Sequence, residues 1–153
     1  VYNIDLNHRW AGSMSKEKSI KLNKAIKGAY QDARFWAVLL DESSVESGPF
    51  DGACLVCAKS IIKAAGAGEL VRITRIDEGS NLRSEHYGSM IGGLIYDFDG
   101  SADNEEEWVN RFKINESVFY PNMSVSHGLD PHSKIPDDPE AVDKISKIIA
   151  LYL

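Results

Sequence analysis

Cys54 is the residue of this chain best placed to act as a nucleophile. It follows the turn-forming stretch Asp51-Gly52-Ala53 and stands where a helical pattern begins. Free backbone N–H groups and the positive end of a helix dipole gather at such a position, and both favour thiolate over thiol. A base emerges from a hairpin further along. Gly92-Gly93 is a two-residue turn signal between the β-rich runs 86–91 and 94–99. Counting outward from that turn sets His86 opposite Asp99 and Gly88 opposite Asp97. Residues directly opposite share a face, with Cβ atoms about 5 Å apart. A carboxylate on one imidazole nitrogen fixes the tautomer and raises the basicity of the other, which is then fit to take a thiol proton. Cys54, His86 and Asp99 therefore form a candidate Cys-His-Asp triad, with Asp97, next door on the same face, as the alternative third member.

Each of these residues also has a plainer reading. His86 can be a strand-end histidine near solvent, and Asp99-Gly100 a simple turn. Cys57, one helical turn beyond Cys54, reads first as a small buried apolar residue. A Cys-x-x-Cys redox pair is its alternative, although a Ser/Gly/Pro loop leads into the motif where a thioredoxin-like fold would supply a strand. Zinc held by Cys54, Cys57, His127 and His132 fits poorly, because the histidines follow some seventy residues later in a Pro-rich stretch. No cofactor or metal is expected. Glu85 faces the opposite side of its strand from His86, His8 has no nameable partner, and Trp10, Trp36 and Trp108 read as core or groove aromatics.

The elements that must position these side chains follow from periodicity. Apolar residues recur at helical spacing from about Ser15 through Leu39, with a break expected near Gly28. A Ser/Gly/Pro loop over 41–52 leads to a second helix from about Gly52 to Ala65, ended by Gly66-Ala67-Gly68. Residues 69–76 read as a strand and precede the hairpin. A short helix over 103–112 opens with the capping pattern Asp103-Asn104-Glu105-Glu106. Residues 114–136 carry Pro121, Pro131 and Pro136 and suggest one short strand near Val118 to Tyr120. A helix from Asp138-Pro139 to about Leu151 closes the chain. Helices followed by antiparallel strands argue an α+β fold, in a single domain over 1–153. Within it lie an irregular lead-in at 1–12, a catalytic core at 50–100 and a C-terminal helix at 137–153.

Composition narrows the partners. The 153 residues are 43% hydrophobic and 26% charged, an ordinary globular balance. A net charge of −6, from 17 Lys plus Arg against 23 Asp plus Glu, argues against nucleic acid. The lysines between Lys16 and Lys27 read as the solvated face of a helix. No apolar run approaches the ~20 residues of a membrane span, and no secretory signal is visible. Synthesis in the cytoplasm is expected, with delivery outside the producing cell left open. Two cysteines are too few for a disulfide framework.

The order of a Gly-x-Cys helix start, a strand, a His-initiated strand and an acidic residue on the next strand resembles the papain-like fold in its compact bacterial form. NlpC/P60 peptidases and papain-like toxin or effector domains share that order. The resemblance spans about a third of the chain, residues 50–100. It departs from classical papains at Leu55, where an aromatic follows their cysteine. It implies Cys54 as nucleophile, His86 as base and Asp99 or Asp97 as the orienting residue, with an oxyanion held by the Cys54 N–H and a donor from the preceding loop. The expected activity is a cysteine hydrolase cutting an amide bond in a peptide or cell-wall peptide through a thioester. A protein side-chain deamidase on the same fold is the alternative. The expected partners are a peptide or protein substrate and, for a delivered effector or toxin, an immunity or inhibitor protein. The rival from another class is a non-catalytic binding or inhibitor module.

Overall fold

The computed structural model describes residues 15–153. The expected lead-in at 1–12, with His8 and Trp10, lies outside them. The first helix, α1, spans Lys16–Tyr30 and is capped by the Ser15 hydroxyl, which accepts from the Lys18 N–H. It does not break at Gly28. That glycine sits inside the helix because a Cβ there would fall 2.5 Å from the Tyr152 ring. The break comes at Gln31-Asp32, where Asp32 accepts from the Arg34 N–H and caps α2 (Ala33–Ala37). A π-helical turn, Val38–Glu42, extends α2 toward the loop.

The second predicted helix is α3, Cys54–Ala65, ended by Gly66 at φ 79°, a left-handed conformation that favours glycine. β1 (Glu69–Ile76), β2 (Leu82–Ile91) and β3 (Leu94–Asp97) follow in an antiparallel run. Gly92 and Gly93 both take positive φ, as a two-residue hairpin turn demands. β4 is a short edge strand, Gly100–Ala102. The helix α4, Glu105–Glu116, is capped one residue later than expected: Asn104 accepts from the Glu107 N–H, and Glu107 accepts from the Asp103 N–H. No strand forms at Val118 to Tyr120. The strand of that region is β5, Ser124–His127, which pairs antiparallel with β1. The helix α5, Pro139–Ala150, starts at an Asp138 cap with Pro139 in its first turn.

The sheet order is β4-β3-β2-β1-β5, antiparallel throughout, and with the helices it makes an α+β fold. Alternation along β2 divides the core in two. Tyr87, Ser89 and Ile91 face α3: Tyr87 packs on Cys54, Leu55 and Ala58, and the Ser89 hydroxyl donates to the Ala58 carbonyl at 2.7 Å. On the other face Val71, Ile73 and Ile95 pack with Trp108, Val109 and Phe112 of α4. The larger cluster joins α1, α2, α3 and α5, with Phe35 stacked on Phe98. No helix among the described residues is long and apolar enough to cross a membrane.

Candidate active site

Cys54 is the first residue of α3, and no side chain caps that helix. The loop before it closes on itself, since the Gly48 carbonyl accepts from the N–H groups of both Asp51 and Ala53. The preceding loop therefore spends those two donors internally. The N–H groups of Cys54, Leu55 and Val56 have no helical acceptor by the geometry of a helix start. They make no backbone hydrogen bond among the described residues. Donors gathered at a nearly buried thiol (Cys54 is 5% exposed) are what an anionic oxygen needs.

His86 lies on β2 beside a β-bulge. Its partner on β1 is Ile73, the next pair is Thr74 with Ser84, and Glu85 is the unpaired extra residue. Glu85 accepts from Arg75 at 3.1 Å. The imidazole is buried, stacked against Phe50 and Phe112 with ring centroids 5.0 Å away in each case, and tilted against Trp108 at 5.7 Å.

The register counted from Gly92-Gly93 holds for Ile91 with Leu94, Met90 with Ile95 and Ser89 with Tyr96, and then the β2–β3 ladder stops. β3 ends at Asp97, and the chain turns back through Phe98 and Asp99 into β4. His86 is therefore not opposite Asp99. Its Nε2 meets Asp97 Oδ2 at 3.0 Å. Asp99 instead accepts from Asn115 at 2.8 Å, and its own N–H donates to Asp97 Oδ1 at 2.8 Å. Of the two carboxylates considered, Asp97 is the one brought to the histidine. The structural reason is the tight turn to β4, which turns Asp99 outward before a fourth hairpin pair can form.

Asp97 is held by four donors. Oδ2 accepts from His86 and from the Trp108 indole N–H at 2.8 Å, and Oδ1 accepts from Arg111 Nη2 at 2.9 Å and from the Asp99 N–H. All four lone-pair directions of the carboxylate are thus used. Burial alone pushes Asp97 up, but the His86 hydrogen bond, the His86 and Arg111 charges and the indole outweigh it and hold it below the ordinary carboxylate range. For His86, burial pushes the imidazole down. The hydrogen bond to Asp97 and the neighbouring Cys54 sulfur overcome that and raise it. With Nε2 committed to Asp97, Nδ1 is the nitrogen left for the thiol. Cys54 starts the helix on the Tyr87 face of β2, whereas the His86 ring stacks on Phe112 of α4 from the other face. The thiol and the ring meet beside the stretch where β3 no longer pairs with that strand.

The sequence does not single out Trp108, Arg111, Phe112 or Phe50 for the site, and Trp108 reads from it only as a core or groove aromatic. A usable signal was present. Trp108, Arg111 and Phe112 are spaced i, i+3, i+4 on α4, and an arginine inside an apolar helix stripe asks for a buried carboxylate. Gly88 is the strand-side counterpart. A Cβ there would lie 2.5 Å from the Trp108 ring, so glycine lets the indole reach Asp97.

Cys57 is buried one turn deeper. Burial first, then the charges of Cys54 and Asp97, push its thiol well above the ordinary value, which leaves it a poor nucleophile. His127 hydrogen-bonds Glu69 at 2.8 Å on the β1–β5 edge. His132 lies in the 128–138 connection, where its backbone N–H donates to Asp130. No three His, Cys, Asp or Glu side chains converge as a metal site would need among the described residues. No family model matches this chain, and no curated protein or solved structure shows significant similarity to it.

Proposed function

We propose that the protein is a cysteine hydrolase of the papain-like kind, cutting an amide bond with Cys54 as nucleophile, His86 as base and Asp97 as the residue that orients the base. The observation that carries this reading is the buried His86–Asp97 contact at 3.0 Å beside a helix-start cysteine with free N–H donors. The Cys54 sulfur acts on that same imidazole, which a histidine serving the core alone would not require.

In the proposed reaction His86 Nδ1 takes the Cys54 proton, and Sγ attacks the amide carbonyl carbon. The resulting oxyanion is held by first-turn N–H groups of α3. Collapse breaks the C–N bond, and His86 gives its proton to the leaving amine. Water, deprotonated by the same imidazole, then splits the thioester to acid and thiol. Asp97 keeps its negative charge and stabilises the imidazolium throughout. The site fits a peptide or cell-wall peptide bond, and a glutamine or asparagine side-chain amide would follow the same steps with ammonia leaving. A role as a delivered effector neutralised by an immunity protein is the biological setting proposed with it.

Alkylation by iodoacetamide tests the reading. Cys54 should react alone, Cys57 should stay unlabelled in the native protein, and the rate should persist down to about pH 6. His86→Ala should slow it by about 10²-fold. A slow Cys54 indifferent to His86 would sink the hydrolase and leave a non-catalytic binding module.

A further inference from the structure

Cys57 is the buried thiol that the proposed reaction does not use. It stands three residues after Cys54 in the first turn of α3, and both cysteines are free and buried. The Cys57 N–H donates to the Ala53 carbonyl at 2.9 Å, so the turn that carries both thiols closes as a regular α-helix. Helical rise and radius set Cα atoms three residues apart at about 5 Å, inside the range a disulfide spans. The Cβ atoms start about 1 Å too far apart for the bond. No side chain caps this turn, so little holds it against that adjustment. A disulfide closed in this way is one that reductants open readily.

The two thiols are unequal, and the inequality sets an order of reaction. Cys54 lies beside the His86 imidazole, while Cys57 packs in the main core with Val56 and Ile61. Burial, and then the charges of Cys54 and Asp97, keep the Cys57 proton in place. The Cys54 sulfur is therefore the one an oxidant finds as thiolate. Once Cys54 becomes a neutral sulfenic acid, one of the two charges that hold the Cys57 proton is gone. Cys57 thus ionises more easily after its neighbour has reacted than before. A thiol on the same helical turn also has an effective concentration that few thiols in solution match.

We infer that Cys54 and Cys57 form a hydroperoxide-operated switch on the proposed hydrolase, with Cys57 as the resolving thiol. This rests on the reactivity proposed for Cys54 and adds the regulation of that site. The Cys54 thiolate attacks one oxygen of the hydroperoxide, and the O–O bond breaks. Sulfur gives up two electrons and becomes sulfenic acid. The other oxygen leaves as alcohol or water, taking the proton that His86 had drawn from Cys54. The Cys57 sulfur then attacks the Cys54 sulfur. The S–S bond forms, the S–O bond breaks, and the sulfenic oxygen leaves as water with the Cys57 proton. The nucleophile is now blocked and also shielded from further oxidation. A dithiol reductant returns both thiols and is itself oxidised to a disulfide.

Excess hydrogen peroxide on the whole native chain, followed by iodoacetamide and mass spectrometry, tests the switch. The treated protein should lose the mass of two hydrogens while staying monomeric. Its Cys54 labelling should fall about 10-fold or more and return with dithiothreitol. In Cys57→Ala the untreated labelling rate should stay within about 3-fold of the parent's, because the proposed reaction asks nothing of Cys57. Peroxide should then carry Cys54 of that variant to sulfinic acid, and dithiothreitol should restore no labelling. Cys57→Ser should behave alike, so a packing defect in one variant does not decide the outcome. A parent whose labelling peroxide leaves unchanged or abolishes irreversibly, a disulfide between two chains, or a Cys57→Ala variant that recovers as fully as the parent overturns the switch and leaves the thiol chemistry standing. Untreated labelling that is slow and independent of His86 overturns the thiol chemistry itself, and the switch with it.

Discussion

Two aspartates two residues apart have different jobs. Asp97 is buried and receives four hydrogen bonds, among them one from the proposed base. Asp99 is exposed and shares Asn115 with α4. Asp97→Asn keeps the volume but presents an amide to His86 Nε2, so the imidazolium loses its counter-charge and the tautomer preference changes. Cys54 alkylation should fall by about 10²-fold or more at pH 6–7. Asp99→Asn should stay within about 3-fold of the parent, because the residue touches neither the ring nor the thiol. A larger loss in the Asp99 variant would return that residue to the site. The candidate pair Asp97 or Asp99 was legible from the sequence, because a Gly-Gly turn sets a register. The choice between them was not, because a register says nothing about where the ladder ends.

The helix α4 and strand β2 fit through a single missing side chain. Gly88 has an ordinary φ, so its glycine answers to space and not to backbone conformation. The Trp108 ring occupies that space and carries its N–H to Asp97. Gly88→Ala should overpack this contact and destabilise the fold by about 1–3 kcal/mol, measurable by denaturant unfolding. Adding Trp108→Leu should recover much of that loss while leaving Cys54 slow, since Asp97 still lacks its indole donor. Recovery of both would show that the indole serves packing alone. The sequence predicts the helix at 103–112 from its acidic start and apolar spacing, and its cap falls one residue later because Asn104 competes successfully for it. β5 escaped the sequence reading, since Ser-Val-Ser-His has little apolar alternation. Its partner is a strand some fifty residues earlier, and such long-range pairing is not written locally.

At the scale of the molecule, the buried charges couple stability to pH. His86 binds its proton more tightly folded than an unfolded histidine at 6.5 does, with a folded value of about 9. Its stabilisation is complete below about pH 6.5 and is lost as pH rises through about 9. Asp97 is held below 3.8, so its contribution is present above that value and is lost as pH falls through the lowered one. The melting temperature should therefore peak between these limits, in mildly acidic to neutral solution, and decline toward both. His86→Gln should remove the alkaline decline attributable to this pair and weaken the acid one, which Arg111 and the Trp108 indole then sustain alone. An unchanged alkaline limb in that variant would place its origin elsewhere.

The sequence by itself determined the α+β class, the helix start at Cys54, the strand at 69–76 and the turn that brings His86 near two aspartates. These rest on short-range rules of periodicity, capping and turn chemistry that a linear chain expresses directly. Only the tertiary structure decided that Asp97 is the partner of His86, that Trp108 and Arg111 hold it, and that Cys54 comes beside the same imidazole. Those outcomes depend on where a ladder ends, which side chain finds room beside Gly88 and which charges neutralise one another. Each is a property of packed neighbours distant in the chain.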